Sequence, residues 1–322
     1  MGTRPPVRRG AGERQIGVRM LLIANPSSCH GEGAAMAQQA RRLLDGRADD
    51  ALQVEFTQRP GHARQLASSA AARHSIVVVL GGDGTVHEVV NGLLALPEGQ
   101  RPALGVIPAG SGNDYAFSLG MSPRLEESAS QVLAAPQRWV DVGLCNGEFF
   151  AETLSFGLDA AIALDTIERR KRTGKSGTAL YMQSGIDQLL HHLDFHRMEA
   201  TFDGAARVED IVLCAVQVGP TYGGGFRICP DARFDDGKLD ICIAHAPVGA
   251  LKAGYVFLRA KNGHHTHYRE IELFRACEAH LVFECPLPVQ IDGERLTEVE
   301  YRISLIPRAL RVVAPQASVF SR

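Results

Sequence analysis

Long apolar runs are missing from this sequence: no stretch approaches the ~20 consecutive apolar residues that a membrane-spanning helix needs. The N-terminal residues are rich in Arg and Pro and lack the apolar segment of a secretory signal peptide. Neither a Gly-X-Y period nor a Cys-x-x-Cys spacing occurs, which argues against a collagen-like chain and a zinc site. We therefore expect a soluble, cytoplasmic protein, and peripheral contact with the inner membrane surface is the one membrane association left open.

Charge of one sign is not in excess either. Lys and Arg number 34 and Asp and Glu number 36, for a formal net charge of -2. Because there is no global positive field, the chain is not expected to bind nucleic acid. The 7 cysteines are scattered, mostly within apolar segments, and are expected to be free thiols in a reducing compartment. Glycine is abundant instead, with 33 residues, many of them in loops that follow apolar segments.

The pattern of apolar residues divides the chain into two domains. Residues 1–17 are expected to form a disordered tail. Residues 18–138 alternate short apolar segments with helical periodicity, which is typical of a doubly wound parallel α/β sheet. Residues 139–300 are mostly short strand-like segments separated by Asp-Gly turns, which indicates a β-sandwich domain. Residues 301–322 are expected to return to the first domain, and a nucleotide cleft is expected between the two domains.

Three polar loops follow predicted strands of the first domain. In one of them, Gly81-Gly82-Asp83-Gly84-Thr85, converging backbone N–H groups and a helix N-terminus favour an anion. An Asp here would repel bare phosphate, so Asp83 indicates a nucleotide–Mg²⁺ complex; helix capping is the alternative for this loop taken alone. A chance set of turn glycines has no reason to favour one end of the sheet. The other two loops are Asn25-Pro26-Ser27-Ser28 and Pro108-Ala109-Gly110-Ser111-Gly112-Asn113-Asp114.

These loops resemble those of the diacylglycerol kinase catalytic-domain family, bacterial soluble lipid kinases related to sphingosine kinases. The family pattern is Asn-Pro-x-Ser-Gly, then Gly-Gly-Asp-Gly-Thr-x-x-Glu-x-x-Asn-Gly, then Pro-x-Gly-Thr-x-Asn-Asp. The chain departs from it at Cys29, where the family has Gly, at Ser111, where it has Thr, and at Phe117, where Arg is frequent. The similarity continues downstream through Asp141-Val142-Gly143, Gly157-Leu158-Asp159, Gly223-Gly224-Gly225, Pro230-Asp231-Ala232, Asp236-Gly237 and Asp292-Gly293-Glu294.

The resemblance implies transfer of the γ-phosphoryl group of ATP, bound with Mg²⁺, to the hydroxyl of diacylglycerol or a related lipid. It makes Asp292 the general base with Glu294 as its acidic companion, although Asp-Gly also marks an ordinary hairpin turn. It places Asp83, Asp114 and Asp141 around the catalytic Mg²⁺. The implied ATP contacts are Asn25, Pro26, Ser27, Ser28, Cys29, Thr57, Gly82, Asp83, Gly84, Thr85, Val86, His87, Glu88, Ser111 and Asn113.

A structural Mg²⁺ is implied at the Asp236-Gly237 turn, where the backbone carbonyls of Arg233 and Lys238 would join the Asp236 carboxylate; an ordinary turn is the alternative. The basic run of residues 169–175 would draw the protein to anionic lipid, at ~1 kcal/mol per basic residue, or would simply be solvated. Two rival functions remain, an NAD kinase-like small-molecule kinase and a catalytically silent nucleotide-binding regulator. The acceptor lipid stays open, and so does a homo-oligomeric state.

Overall fold

A computed structural model describes residues 19–45, 52–70, 73–175, 177–317 and 319–320. The predicted N-terminal tail, residues 1–17, lies outside the described residues. The elements of the first part of the chain are β1 (Met20–Ala24), α1 (Ser28–Gly31), α2 (Gly33–Asp45), β2 (Gln53–Phe56), α3 (His62–Ser68), β3 (Ile76–Gly81), α4 (Asp83–Leu94), β4 (Ala103–Pro108), α5 (Asp114–Leu119), α6 (Leu125–Ala134) and β5 (Gln137–Cys145).

The second part of the chain contains longer antiparallel strands and three helices. Two 3-10 helices, Glu98–Gln100 and His264–His267, lie in connections. The remaining elements are β6 (Glu148–Phe150), β7 (Thr153–Gly157), α7 (Leu158–Thr173), α8 (Thr178–His191), β8 (His196–Phe202), β9 (Ala205–Gln217), β10 (Leu239–His245), α9 (Ala250–Ala260), β11 (Ile271–Ala276), β12 (Glu278–Phe283), β13 (Val289–Ile291), β14 (Glu294–Leu296) and β15 (Glu300–Val313).

The first domain is built on four parallel strands in the order β2-β1-β3-β4. Strands β1, β3 and β4 are buried along their whole length, as expected for apolar strands with helices on both faces. The chain passes from β1 to β2 on one side and then to β3 on the other, so the strand order reverses between β1 and β3. Ligands of such sheets bind beyond the carboxyl ends of the strands at this reversal. The loops that follow β1 and β3 therefore lie where a nucleotide is expected.

Strand β15 joins this parallel sheet to the antiparallel strands of the second domain. Val312 of β15 pairs in parallel with Leu104 of β4, and β15 also pairs antiparallel with β5 and β12. The order then continues through β12, β8, β9, β7, β13 and β14, while β10 and β11 extend from β9. One mixed hydrogen-bonded sheet thus runs through both domains and fixes their relative position.

A second apolar core lies under helices α7, α8 and α9. The rings of Tyr181, Phe226 and Phe257 pack together there, with centroids 5.0–6.4 Å apart. This core encloses an apolar cavity of about 70 Å³ lined by Leu158, Ile162, Val256 and these rings. The cavity lies on the opposite face of β9 and β10 from the main core. Its apolar lining suits an apolar ligand.

Candidate active site

The three predicted loops contact one another through backbone and side-chain hydrogen bonds. The Asn25 side chain donates to the Thr85 hydroxyl at 3.4 Å, and the Cys29 N–H donates to the Ala109 carbonyl at 3.0 Å. The Asn113 N–H donates to Asp83 Oδ2 at 2.8 Å. The loops after β1, β3 and β4 therefore form one continuous rim at the carboxyl ends of the parallel strands.

Cys29 stands where the resembling family has glycine, and its backbone conformation explains the family's preference for glycine. Its φ is +50°, in the left-handed region that a side chain disfavours and glycine adopts freely. The N–H of Cys29 nevertheless reaches Ala109, so the chain accepts local strain to hold this loop against its neighbour.

Gly82 and Gly110 bring two of the loops into backbone contact. A Cβ atom built on Gly110 would lie 2.3 Å from the Gly82 Cα, and one built on Gly82 would lie 2.9 Å from the Gly110 Cα. The Asn113 side chain locks the turn by accepting from the Gly110 N–H at 2.7 Å and donating to its carbonyl at 2.9 Å. Neither glycine has room for a side chain because the opposing atom is backbone.

We predict that Gly110→Ala destabilises the fold by about 1–3 kcal/mol, because the added methyl group would overlap the Gly82 backbone. Gly99→Ala is the matched control, since a Cβ there meets nothing within 4 Å. Urea unfolding of the two variants checks the expectation. Equal free energies of unfolding in the two variants would show that the loops are not in contact.

Four carboxyl groups converge beside these loops: Asp83, Asp114, Glu152 and Asp292. Both Asp114 oxygens accept backbone N–H groups of the triple-glycine loop, from Gly224 at 2.9 Å and from Gly225 at 2.8 Å. Burial and the Asp114 charge raise the pKa of Asp83 to about 7. Burial raises the pKa of Asp114, and burial together with the three aspartates raises the pKa of Glu152 well above its usual value. The carboxyl groups thus disfavour one another's charged forms, and a bound cation would relieve this repulsion.

The donor set of this cluster fits a hard divalent cation. A Cβ on Gly112 would lie 2.7 Å from Asp83 Oδ2 and 3.2 Å from Asp114 Oδ2, so both carboxylates flank one glycine. Asp83 Oδ1 and Glu152 Oε1 are buried and have no hydrogen-bond partner among the described residues. Mg²⁺ binds carboxylate oxygens and keeps several waters, and Asp83 and Asp114 are the residues that would hold it.

Asp292 lies at the tip of the β13–β14 hairpin. Its φ is +46° and that of Gly293 is +91°, as required by a two-residue turn between paired strands. Its Oδ2 accepts the Ala151 N–H at 2.8 Å, and its Oδ1 accepts the N–H groups of Glu152 and Thr153 at 3.1 and 3.0 Å. A hairpin turn and a role as general base are thus compatible, because the turn holds a fixed carboxylate beside the acidic cluster.

His87 links Asp292 to a second carboxylate. Its Nδ1 lies 3.2 Å from Asp292 Oδ2 and its Nε2 lies 3.0 Å from Glu148 Oε1. Burial lowers the pKa of His87, but the two carboxylates outweigh this effect and raise the pKa to about 9. The Glu148 carboxylate also pairs with Arg64, and His87 and Arg64 hold the pKa of Glu148 low despite its burial. His87 is therefore an imidazolium at neutral pH, directly beside Asp292.

Asp141 is held by two backbone N–H groups from other segments of the chain. Its oxygens accept the N–H groups of Gly237 and Arg308, each at 2.7 Å. Burial and the charges of Asp236 and Asp235 raise its pKa. The carboxylate thus ties β5 to the turn that carries Asp236, where Asp236 Oδ1 accepts the Lys238 N–H at 3.1 Å. Arg233 lies in the same segment, and its guanidinium donates to the Phe320 carbonyl at 2.8 Å.

The residues predicted to contact ATP differ in their exposure. One group is at least partly accessible along the rim: Ser27, Cys29, Gly82, Gly84, Ser111 and Asn113. Thr57 belongs to this group too, and its N–H donates to the Ala24 carbonyl at 2.9 Å. Three others face inward: Val86 packs in the core, both ring nitrogens of His87 face carboxylates, and Glu88 accepts the N–H groups of Gly61 and Ala63 at 2.7 and 3.0 Å. Glu294 is exposed and its Oε1 lies 3.4 Å from a Cβ built on Gly84.

An open cleft of about 820 Å³ reaches this site from the second domain. It is lined by residues of both domains, among them Ser111, Asp114, Thr221, Arg227 and Lys261. This volume is in the range of ligand sites for small molecules and cofactors. Arg227 and Lys261 of the second domain thus share this cleft with Asp114 of the first.

Glu152, Glu148 and Arg64 are site residues that sequence reasoning missed. Glu152 is the one charged residue in the apolar run from Phe149 to Phe156, and a lone charge within a buried strand pattern is a usable signal. Glu148 and Arg64 carry no such signal, because only the folded chain brings them to His87.

The structure thus combines an α/β domain with glycine-rich loops, an acidic cluster, and a largely antiparallel second domain that lines the cleft with it. Comparison with known proteins identifies the family. The diacylglycerol kinase catalytic domain model matches residues 19–145, and the model of the YegS C-terminal NAD kinase beta sandwich-like domain matches residues 152–314. The chain therefore belongs to the family of YegS-like lipid kinases and diacylglycerol kinases, and the predicted family and fold class are confirmed.

Curated relatives agree with this assignment, and a solved structure agrees with the fold. The chain is 31% identical over 313 residues to a "Probable lipid kinase YegS-like" of Pseudomonas fluorescens, covering 93% of this chain and 96% of that protein. It is 30% identical over 310 residues to a "Diacylglycerol kinase" of Mycobacterium tuberculosis, covering 92% and 96%. A diacylglycerol kinase structure from Bacillus anthracis matches the fold with a TM-score of 0.77 at 24% identity, covering 95% of this chain and 100% of that one.

Proposed function

We propose that the protein transfers the γ-phosphoryl group of ATP to the hydroxyl group of a lipid, with Asp292 as general base. The observation that supports this best is the convergence of the Asp292 carboxylate with Asp83 and Asp114 beside the glycine-rich loops. Phosphoryl transfer requires positioning and charge neutralisation more than covalent participation of the protein. A site with phosphate-binding loops, a metal-binding carboxylate pair and a nearby base meets these requirements.

The nucleotide phosphates would lie at the N-terminus of α4, where Gly82 and Gly84 leave backbone N–H groups open to an anion. Asp83 and Asp114 would hold the catalytic Mg²⁺, which neutralises the developing phosphate charge. Ser111 retains the hydroxyl that the family has as threonine. The Asn25 and Thr57 segments complete the rim on the side of β1 and β2.

Asp292 would accept the proton of the attacking hydroxyl as the new P–O bond forms and the bond to the leaving phosphate oxygen breaks. Its carboxylate is held by three backbone N–H groups, so its orientation does not depend on substrate.

The acceptor would be diacylglycerol or a related lipid with apolar tails. The cavity lined by Leu158, Ile162 and Phe257 is almost wholly apolar, which suits acyl chains better than a nucleotide or sugar. Its volume of about 70 Å³ is smaller than an acyl chain, so α8 and α9 would move apart on binding.

The decisive assay offers purified protein Mg-ATP with a panel of diacylglycerol, phosphatidylglycerol, a sphingoid base and NAD. Phosphate transfer to a lipid supports the proposal. Transfer to NAD alone would establish the small-molecule kinase instead, and ATP binding without any product would establish a silent nucleotide-binding regulator. The intact set of Asp83, Asp114 and Asp292 argues against the silent alternative, since ATP binding alone does not require a general base.

The Asp236 turn would hold a second, structural Mg²⁺. Three carboxyl groups, Asp141, Asp235 and Asp236, act on one another there, and a tight turn can aim backbone carbonyls such as those of Arg233 and Lys238 at one cation. The turn ties β5 to β10, so a cation at this place would act on the geometry between the domains.

We propose that the reaction takes place at the cytoplasmic surface of a membrane, by peripheral contact. None of the described helices has the length and apolarity needed to cross a membrane. Leu251 on α9 is 91% exposed and Leu190 on α8 is 65% exposed, with Ile186, Tyr255 and Leu258 on the same two helices also exposed. Arg169 of the basic run pairs with Asp165 and Asp187, whereas Lys171, Arg172 and Lys175 are exposed and would meet anionic headgroups.

We predict that Leu190→Glu with Leu251→Glu weakens co-sedimentation with phosphatidylglycerol vesicles about tenfold, because two exposed apolar contacts are replaced by charges that anionic lipid repels. Val208→Glu, which changes an exposed apolar side chain on β9, is the control. Activity on a dispersed short-chain acceptor is expected to stay unchanged in all variants. Vesicle binding that is equal in the double variant and the control would rule out the α8–α9 face as the contact.

A further inference from the structure

Glu152 lies between β6 and β7 at the bottom of the acidic cluster, and its backbone is fixed there. Its N–H donates to Asp292 Oδ1 at 3.1 Å, and its carbonyl accepts the Val218 N–H at 2.9 Å. The side chain belongs to a residue that is only 5% exposed. The carboxylates of Asp114, Asp83 and Asp292 are the charges that act on it, so this buried acid faces three others.

Two oxygens of the cluster have no hydrogen-bond partner among the described residues, Glu152 Oε1 and Asp83 Oδ1. The other oxygens are engaged: Asp83 Oδ2 accepts the Asn113 N–H, and those of Asp114 and Asp292 accept backbone N–H groups. The Ser118 hydroxyl is a hydrogen-bonding neighbour of the Glu152 carboxyl. Buried carboxylate oxygens are costly unless a donor or a cation satisfies them.

Two cations neighbour the cluster, and neither is among the groups that act most strongly on Glu152. His87 lies between Asp292 and Glu148, and Lys261 donates to the Gly224 carbonyl and acts on Asp114. Glu152 Oε1 and Asp83 Oδ1 therefore stay without a partner among the described residues. A cation from solution would satisfy both oxygens, and an all-oxygen donor set selects a hard divalent ion.

We propose that Glu152 is a ligand of a divalent cation, Mg²⁺ or Mn²⁺, which it binds through Oε1 together with Asp83. This inference deepens the proposed function by adding a ligand to the same metal site. Cation binding by Glu152 stands without the proposed function, and only its part in catalysis rests on it. Because the Glu152 N–H holds Asp292, the same residue connects the cation to the base. The cation site in this chain then includes a carboxylate from the second domain and joins both walls of the cleft.

The test is calorimetric titration of Mn²⁺ into the nucleotide-free full-length protein. Glu152→Gln keeps the size of the side chain and removes its charge, and we expect Mn²⁺ to bind this variant at least ~10-fold more weakly. Glu209→Gln is the matched control, since Glu209, His245 and Glu272 form another cluster whose ligand atoms lie within 4.8 Å of one another. A loss of Mn²⁺ binding in Glu209→Gln and not in Glu152→Gln would overturn the proposal.

Thermal unfolding separates metal binding from folding. In the original protein Mn²⁺ is expected to raise Tm, because it binds the native state only. Without metal, Glu152→Gln is expected to unfold at the same or a higher Tm, because it removes a carboxylate that the neighbouring aspartates repel. With Mn²⁺, this variant is expected to show no rise in Tm. Glu152→Asp, which keeps the charge on a shorter side chain, is a second variant in which intermediate affinity is expected.

Unchanged Mn²⁺ affinity in both Glu152 variants would contradict the proposal. These experiments contain neither ATP nor lipid. A failure of lipid phosphorylation would therefore count against the proposed function while the Mn²⁺ titration still decides the role of Glu152.

Discussion

Asp292→Asn is expected to lower turnover by about 10²–10⁴-fold, the usual contribution of general acid–base catalysis. The amide cannot take up the proton of the attacking hydroxyl, while the hairpin that carries residue 292 is retained. ATP binding is expected to persist, because the glycine-rich loops do not depend on Asp292. Turnover by quenched flow and ATP affinity by calorimetry are the two measurements.

Glu294→Gln is the control for Asp292→Asn. Glu294 lies two residues further along the same hairpin but is exposed. The loss of turnover in Glu294→Gln is therefore expected to stay within about tenfold. A turnover in Asp292→Asn that remains above a tenth of the original value would remove Asp292 from the role of base. A parallel loss of ATP affinity would point to a structural role for the hairpin instead.

The second large effect concerns the pH dependence of stability, which His87 is expected to control between pH 6.5 and 9. Its pKa is about 9 in the folded protein against 6.5 in an unfolded chain. The native state therefore binds the proton more tightly, and the stabilisation is complete below pH 6.5 and is lost as the pH rises through 9. The linkage amounts to about 3 kcal/mol at most.

Urea unfolding at pH 6.5, 8 and 9 measures this effect. The free energy of unfolding is expected to fall across the series in the original protein and to fall less steeply in His87→Gln, where Asp83 and Glu152, whose pKa values are raised, still contribute. The exposed His264 supplies the control His264→Gln, which is expected to behave like the original. The series ends at pH 9 because the buried Cys145 thiol, whose pKa is raised to about 12 by burial, begins to contribute above that point. Identical slopes in His87→Gln and the original would contradict the assignment of His87 as an imidazolium.

Much of the architecture was predictable because local patterns determine it. The all-apolar strand before Gly81 and the amphipathic helix after Gly84 predict a strand–loop–helix unit without reference to the rest of the chain. The same holds for the Asp292-Gly293 hairpin, whose positive φ values suit that pair of residues. Three such loops then meet because parallel strands end on the same side of the sheet.

The remainder depends on long-range pairing that no local pattern encodes. The resemblance predicts Asp141 beside Asp83 and Asp114, but no local pattern encodes the N–H groups of Gly237 and Arg308 that hold its oxygens. The chain of Arg64, Glu148 and His87 forms only when α3, β6 and α4 come together. The pairing of β15 with β4 joins residues more than two hundred positions apart, and it decides how the two domains face each other.

Lipid phosphorylation beside Asp292 can be measured directly. Radiolabelled phosphate is followed from γ-labelled ATP into the chloroform-extractable fraction, with the protein, Mg²⁺ and mixed micelles of diacylglycerol or phosphatidylglycerol. We expect a labelled lipid whose mass has gained one phosphoryl group, and its near absence with Asp292→Asn. Label that stays in water-soluble products with every lipid acceptor, or equal lipid labelling by Asp292→Asn, would contradict this expectation.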